Sequence, residues 1–175
     1  AYADLDDEYW SSGSGAYSGG EPPAANITTD PTGAKWAHWL GFEDGDLGVI
    51  GVYEGGRYYE EGLYRPTGTS KMRALNEPFN AVSKEAFILQ HYEEVDPVDA
   101  YAFEESFGVV TDPGTLWVET VDDSLFDIEW FVDGDAIAGA DGLTLNVDAL
   151  NLKVGQTALT AVVTDNTPLV RVGLE

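Results

Sequence analysis

"GVYEGGRYYEEGLYRPTGTSKMRALNEPFNAVSKEAF", residues 51–87, is the run on which the reading of the fold turns. Its start belongs to LGVIGVYEGG (47–56), which reads as a strand running into a glycine turn. RYYEEGLYRP (57–66) continues with aromatic residues until Pro66 stops it. Then comes Met72, the only methionine of the chain, between Lys71 and Arg73. A lone Met is usually a core filler. Here two of only 8 basic residues flank it, which points to a more specific role. SKEAFILQHYEEV (83–95) carries the clearest helical pattern. Ser83 can cap it, Phe87, Ile88, Tyr92 and Val95 form an apolar face, and Asp96-Pro97 ends it.

Upstream, AYADLDDEYW (1–10) is acidic and aromatic, and a Ser-, Gly- and Pro-rich stretch through Gly33 follows it. That stretch reads as a long loop, with Tyr17, Ile27, Pro22 and Pro23 available to pin it. NIT (26–28) fits a glycosylation sequon. KWAHWLGF (35–42) places Trp36, Trp39 and Leu40 at helical spacing, with Gly41 as a C-cap.

From about Pro113 the pattern changes. TLWVETV, FDIEWFVDG, DAIAGAD, LTLNVDAL and QTALTAVVTDN are short alternating segments separated by turn residues, the signature of an all-β sandwich. VDGD (132–135) reads as a hairpin turn, and the resemblance of this region to an immunoglobulin-like or PKD-like bacterial module implies Trp130 as the core ring of a central strand. TPLVRVGLE at the end reads as a strand, so the sandwich is expected to be cut short or completed elsewhere. The expected boundary lies near 108–113. It separates an α+β domain over 1–110 from an immunoglobulin-like β-sandwich over 111–175.

The chain has 175 residues with 32 acidic against 8 basic ones, a formal charge of −24. Such a surface repels nucleic acid and anionic membrane, and no apolar run is long enough for membrane insertion. It attracts divalent cations and basic peptides, and it is stabilised by screening salt. The absence of Cys excludes disulfides, thiolate catalysis and Cys-based zinc sites. In FEDGDLG (42–48) and VDGDAIAGADG (132–142), Asp44, Asp46, Asp133 and Asp135 alternate as in calcium loops. Neither run has the EF-hand spacing, and β-turns use the same residues, so both readings stay open.

DDEYW (6–10), EPPAANIT (21–28), KWAHWLGF (35–42) and the run 51–87, with YRPT, SKMR and PFNAV in order, carry a resemblance. Together they resemble the C-terminal half of the catalytic domain of IgA-peptidase-type zinc metallopeptidases, a secreted bacterial family related to the metzincins. WFVDGDAIAGADGLTLNV (130–147) resembles an immunoglobulin-like or PKD-like bacterial module. The resemblance implies a metzincin-like partial catalytic domain. In that family an H-E-x-x-H helix supplies two zinc ligands and a general base, and an Asp shortly after it is the third ligand. A methionine turn then floors the metal.

Met72 matches the Met-turn. Asp7 best matches the third ligand, and Asp6 is its rival on metzincin spacing. Ala3 departs from the expected Gly. Tyr64 and Arg65, beside the turn, are candidates for holding an oxyanion or a substrate carboxylate, and pairing of Arg65 with an acid is the plainer alternative. The H-E-x-x-H motif is absent from this chain. His38 and His91 are its only histidines, and each is expected to be structural. Zinc is therefore expected only together with an upstream segment.

The implied function is a fragment of a secreted, extracellular bacterial zinc metalloendopeptidase acting through metal-activated water, inactive alone. The alternative is a non-catalytic extracellular binding or self-assembling protein derived from that family, with calcium as a second candidate ion. The expected partners are a protein or peptide substrate, the chain's own N-terminal segment or other copies of itself.

Overall fold

The computed structural model describes residues 4–102, 114–153, 155 and 157–171. Among the described residues eight strands stand against one α-helix and three short 3-10 helices. The chain divides into two compact units, Ala1–Glu94 with Leu169–Glu175, and Val95–Pro168. The expected boundary at 108–113 lies outside the described residues.

In the first unit, a 3-10 helix over Ala34–Trp39 buries Trp36 and Trp39, which pack with Ile50, Ala81 and Val82. Leu40, expected on the same face, is exposed because the helix ends one residue earlier. A second short 3-10 turn covers Gly45–Leu47. Strands β1 (Tyr53–Gly56) and β2 (Tyr59–Arg65) form an antiparallel hairpin.

The glycines do not make its turn. Arg57 and Tyr58 do, with φ of 48° and 68°. Positive φ at both central positions is what a two-residue hairpin turn requires. Gly55 instead sits at a register shift inside β1 with φ of 99°. A Cβ there would meet the Trp10 ring at 2.5 Å, so the bare backbone is what lets Trp10 lie on the hairpin.

Helix α1 (Ala81–Glu94) starts two residues before the expected position. Its cap is Asn80, whose Oδ1 accepts from the Ser83 amide at 2.9 Å. Asp44 adds an anion at the same helix end, its Oδ2 accepting from the Ala81 amide at 2.6 Å. Burial is concentrated in the first turns, at Ala81, Val82, Ser83 and Glu85. Phe87, Ile88 and Tyr92 are half-buried, and Val95 is exposed.

The long loop is tied down as the sequence suggests at Ile27, which is fully buried, and at Pro22. The strongest tie is one the sequence does not advertise. Lys35 Nζ donates to the carbonyls of Pro22, Ala24 and Ile27 at 2.5, 2.8 and 2.8 Å. Bridges Ala16–Glu61 and Thr28–Tyr64 dock the loop on β2.

The second unit holds two three-stranded antiparallel sheets. One has the order β3 (Val98–Tyr101), β4 (Thr115–Thr120), β7 (Thr144–Asn146). The other has the order β6 (Asp135–Ala136), β5 (Phe126–Val132), β8 (Leu159–Asp165). Alternation builds the core, because successive side chains of a strand point to opposite faces. Leu116 and Val118 of β4, Ile128 and Trp130 of β5, and Leu145 of β7 share one buried cluster. Two sheets on one core are compatible with a sandwich. The VDGD turn is present, with Val132 opposite Asp135 and positive φ at Asp133 and Gly134. β3 is the strand the sequence reading missed, because it is only 4 residues long and half-buried.

Candidate functional site

The segment 4–10 forms no helix or named strand, yet its backbone is held from three sides. Its first hydrogen bonds join the loop: Ala25 N–H to Asp4 O at 2.9 Å and Asp6 N–H to Asn26 Oδ1 at 2.8 Å. The hairpin tip supplies the next pair, Arg57 N–H to Asp7 O and Tyr58 N–H to Tyr9 O, each at 2.7 Å. The turn that holds Met72 supplies the third side, where Glu8 N–H donates to Met72 O at 3.0 Å. The structure thus brings DDEY and the Met72 turn together, two segments more than sixty positions apart.

Glu8 is the centre of this arrangement. It is fully buried, an uncommon place for a carboxylate unless it is hydrogen-bonded. Its Oε1 accepts from Asn26 Nδ2 at 2.9 Å and from Asn80 Nδ2 at 3.4 Å, and its Oε2 accepts from the Ser70 hydroxyl at 2.6 Å. Asn80 also donates to Thr67 Oγ1 at 3.0 Å. Burial pushes the Glu8 carboxyl above its ordinary range, and the hydrogen bonds from Ser70 and Asn26 and the nearby Arg65 charge oppose that rise. One carboxylate therefore joins the acidic segment, the loop, the turn at Ser70–Met72 and the cap of α1.

Asp6 and Asp7 flank it, half-exposed. Asp6 Oδ1 accepts from the Asp7 amide at 2.8 Å, and its Oδ2 pairs with Arg57 Nε at 2.8 Å. Asp7 Oδ1 accepts from the Tyr9 amide at 2.7 Å, and its Oδ2 accepts from the Tyr58 hydroxyl at 2.8 Å. The Asp7 carboxylate raises the Tyr58 phenol above its ordinary value through that bond.

Met72 is half-buried in a tight turn. Its amide donates to Ser70 Oγ at 3.1 Å, and the Ser70 carbonyl accepts from Arg73 and Ala74. The two flanking cations part company. Lys71 Nζ donates to Leu75 O, and Arg73 Nη1 reaches Glu8 O at 3.3 Å with its guanidinium 5.3 Å over the Trp10 ring.

Arg65 pairs with carbonyls rather than with an acid. It is buried, with Nη1 donating to Glu54 O at 2.5 Å and Gly55 O at 2.8 Å, and Nη2 to Gly68 O at 3.3 Å. Burial, then the charge of Arg73, lower it to about 10. Tyr64 is half-buried, and its backbone exchanges hydrogen bonds with Thr28.

The remaining candidates are dispersed. His38 Nε2 and Trp39 Nε1 both lie 2.6 Å from Glu85 Oε2, a structural contact that is buried at Trp39 and partly exposed at His38. His91 is exposed on α1. Asp44 serves the helix end, Asp46 is exposed, Asp133 Oδ1 accepts from the Ala158 amide at 2.8 Å, and Asp135 is exposed in the hairpin. Asn26 of the sequon is fully buried, with its amide donating to Asp6 O and Glu8 Oε1, so no glycan fits there.

Among the described residues no group of three or more His, Asp or Glu could hold a metal ion. Catalytic zinc takes three protein ligands. Asp6 and Asp7 alone do not fit that requirement, and their oxygens already accept hydrogen bonds from the chain.

Sequence reasoning missed Glu8, Asn26 and Asn80. Glu8 lies inside the quoted DDEYW run, and nothing in that run marks it off from Asp6 and Asp7, since strict alternation would bury Asp6 with it. Its partners lie 18, 62 and 72 positions away, and only the fold brings them in. No family model, curated protein or solved structure matches the chain.

Proposed function

We propose that this chain is the C-terminal part of the catalytic domain of a secreted bacterial zinc metalloendopeptidase of the IgA-peptidase type, followed by an immunoglobulin-like module, and that it is inactive alone. The observation that carries this reading is the bond between the acidic segment and the methionine turn, Glu8 N–H to Met72 O at 3.0 Å, backed by Ser70 on Glu8. A floor and a carboxylate segment fixed to each other are the parts that a metal-binding helix would need to find in place. Asp7, half-exposed on that segment, is the residue assigned to the metal, and Asp6 is tied to Arg57. The chain's own residues then orient and support. They carry no step of hydrolysis by themselves.

The test has two arms. The chain as it stands is dialysed against zinc and assayed on a casein substrate, with neither stoichiometric metal nor cleavage expected. The chain extended by its encoded upstream residues is expected to retain one zinc, and Asp7→Asn to lose it. Stoichiometric zinc and cleavage by the unextended chain would overturn the claim that it is inactive alone. An upstream sequence without H-E-x-x-H would overturn the peptidase reading.

A second reading is favoured by one observation: every carboxylate oxygen of Asp6 and Asp7 already has a partner within the chain. On that reading the protein is a non-catalytic extracellular binding or self-assembling protein that keeps the scaffold. It predicts that the extended chain binds no zinc.

A further inference from the structure

Among its described residues the second unit leaves two strand edges open on one side. A cavity of about 480 Å³ lies in it, with Val98, Val118, Trp130, Leu159, Ala161 and Val163 among its walls. β3 is an edge strand of one sheet and β8 an edge strand of the other, and both contribute to the cavity. The opening therefore runs between two strand edges above an apolar floor.

The hydrogen bonds of β5 show which way β8 faces. Trp130 N–H donates to Ala140 O, and Trp130 O accepts from Ile137 N–H. Both backbone groups of Trp130 are thus turned away from β8, so the Trp130–Ala161 pair is of the non-hydrogen-bonded kind. Alternation then places the N–H and C=O of Leu159, Ala161 and Val163 on the side of β8 away from β5. The side chains of the same three residues are half-buried and line the cavity. Among the described residues no strand pairs with Leu159, Ala161 or Val163 on that side.

The edge also lacks the usual protection. β8 runs LTAVVTD for 7 residues in unbroken register with β5, without Pro, Lys, Arg or a bulge. Edge strands that must stay unpaired normally carry one of these.

Charge selects the occupant. Lys153 is the only basic residue in 95–168, a stretch with fifteen Asp and Glu, and Asp96 stands in the cavity wall. A second copy would bring the same −24 charge to this edge. A cationic chain would be drawn to it.

We infer that the groove between β3 and β8 binds an extended, basic peptide segment by strand addition to β8. Alternate apolar side chains of the ligand enter the cavity, and its Lys or Arg side chains face the acidic surroundings. This inference is independent of the peptidase reading and concerns the second unit alone.

The experiment uses the whole chain and a short capped peptide of alternating Lys and Val. Binding is read by calorimetry, and backbone amides are followed by hydrogen exchange. Saturable binding is expected, with the amides of Leu159, Ala161 and Val163 gaining protection only when peptide is present. An analogue with Glu in place of Lys is expected to bind about tenfold weaker or worse. Ala161→Pro removes an outward N–H without touching the β5 ladder, a placement edge strands tolerate, and is expected to weaken binding by about tenfold or more.

Three results would overturn the inference. The first is protection of those amides in the free monomer, which would show the edge already covered. The second is equal binding of the Lys and Glu peptides. The third is a dimer in sedimentation that protects the same amides, which would make a second copy the occupant. The exchange measurement on the unmodified protein decides the matter if Ala161→Pro fails to fold.

Discussion

The Ser70 hydroxyl donates to Glu8 Oε2 at 2.6 Å, across 62 positions of chain, and both residues are fully buried. Ser70 Oγ also accepts from the Met72 amide, so one hydroxyl sets both the turn at Met72 and the buried carboxyl. This geometry dictates how Glu8 responds to substitution. Glu8→Ala strands the donors of Ser70, Asn26 and Asn80. At about 1–3 kcal/mol for each buried group without a partner, the loss is expected to reach about 3 kcal/mol or more. Glu8→Gln keeps the shape and one acceptor oxygen, which still serves Asn26 and Asn80, and loses the acceptor for Ser70, so it is expected to lose about 1 kcal/mol. Urea unfolding checks the pair. Equal midpoints for the two variants would mean that Glu8 is not a hydrogen-bonding centre.

Glu21 gives a pH dependence with a definite sign. Burial acts to raise its carboxyl, but the bonds from Lys35 and Thr29 outweigh that and hold it down to about 2, against an ordinary 4.5. A depressed carboxyl contributes stability that is present above pH 4.5 and lost as pH falls through about 2. Glu21 is nearly half-exposed, so screening keeps the contribution to about 1 kcal/mol or less. Glu21→Gln is expected to be less stable than the parent at neutral pH, with the difference closing over that window. Thermal melts across the acid range read it, and a gap that widened with acid would contradict the assignment.

The cap of α1 separates two neighbouring residues. Asn80 Oδ1 accepts from the Ser83 amide, and its Nδ2 serves Thr67 and Glu8. Asn80→Ala is therefore expected to cost about 2 kcal/mol, at the upper end for caps. Ser83 Oγ is buried without a partner. Ser83→Ala removes an unsatisfied hydroxyl and is expected to be neutral or slightly stabilising. Denaturation midpoints in the reverse order would restore Ser83 as the cap.

In the second unit, Gly134 at φ of 91° lets the two-residue turn join β5 to β6. Gly134→Val forces a β-branched residue into that conformation and is expected to cost more than about 1 kcal/mol. Asp133→Asn keeps a residue that tolerates positive φ, and is expected to stay within about 0.5 kcal/mol of the parent. Differential scanning calorimetry compares the two. A larger loss for Asp133→Asn would mean that its bond to the Ala158 amide, not the turn, dominates.

Legibility followed the range of the forces involved. The alternation of β4 and β5 and the VDGD turn were readable because each depends on residues adjacent in the chain. The Gly55-Gly56 pair misled for a related reason: glycine signals special backbone geometry without saying which kind. Here the second kind applied, close approach of Trp10, and the turn fell to Arg57 and Tyr58. Likewise Ser83 and Asn80 are both good caps in isolation, and Asn80 is the one that Glu8 and Thr67 hold in place.

The sequence by itself determined the local periodicities, the sparse cations and the surplus of acid, since composition and neighbour spacing need no fold to be counted. The tertiary structure alone decided which carboxylate is buried. DDEY offers three in a row, and the packing turns Asp6 and Asp7 toward Arg57 and Tyr58 and Glu8 inward. Burial of a charge-bearing group is tolerable only where donors converge on it, and the donors of Asn26, Ser70 and Asn80 converge only once loop, turn and helix cap have packed together.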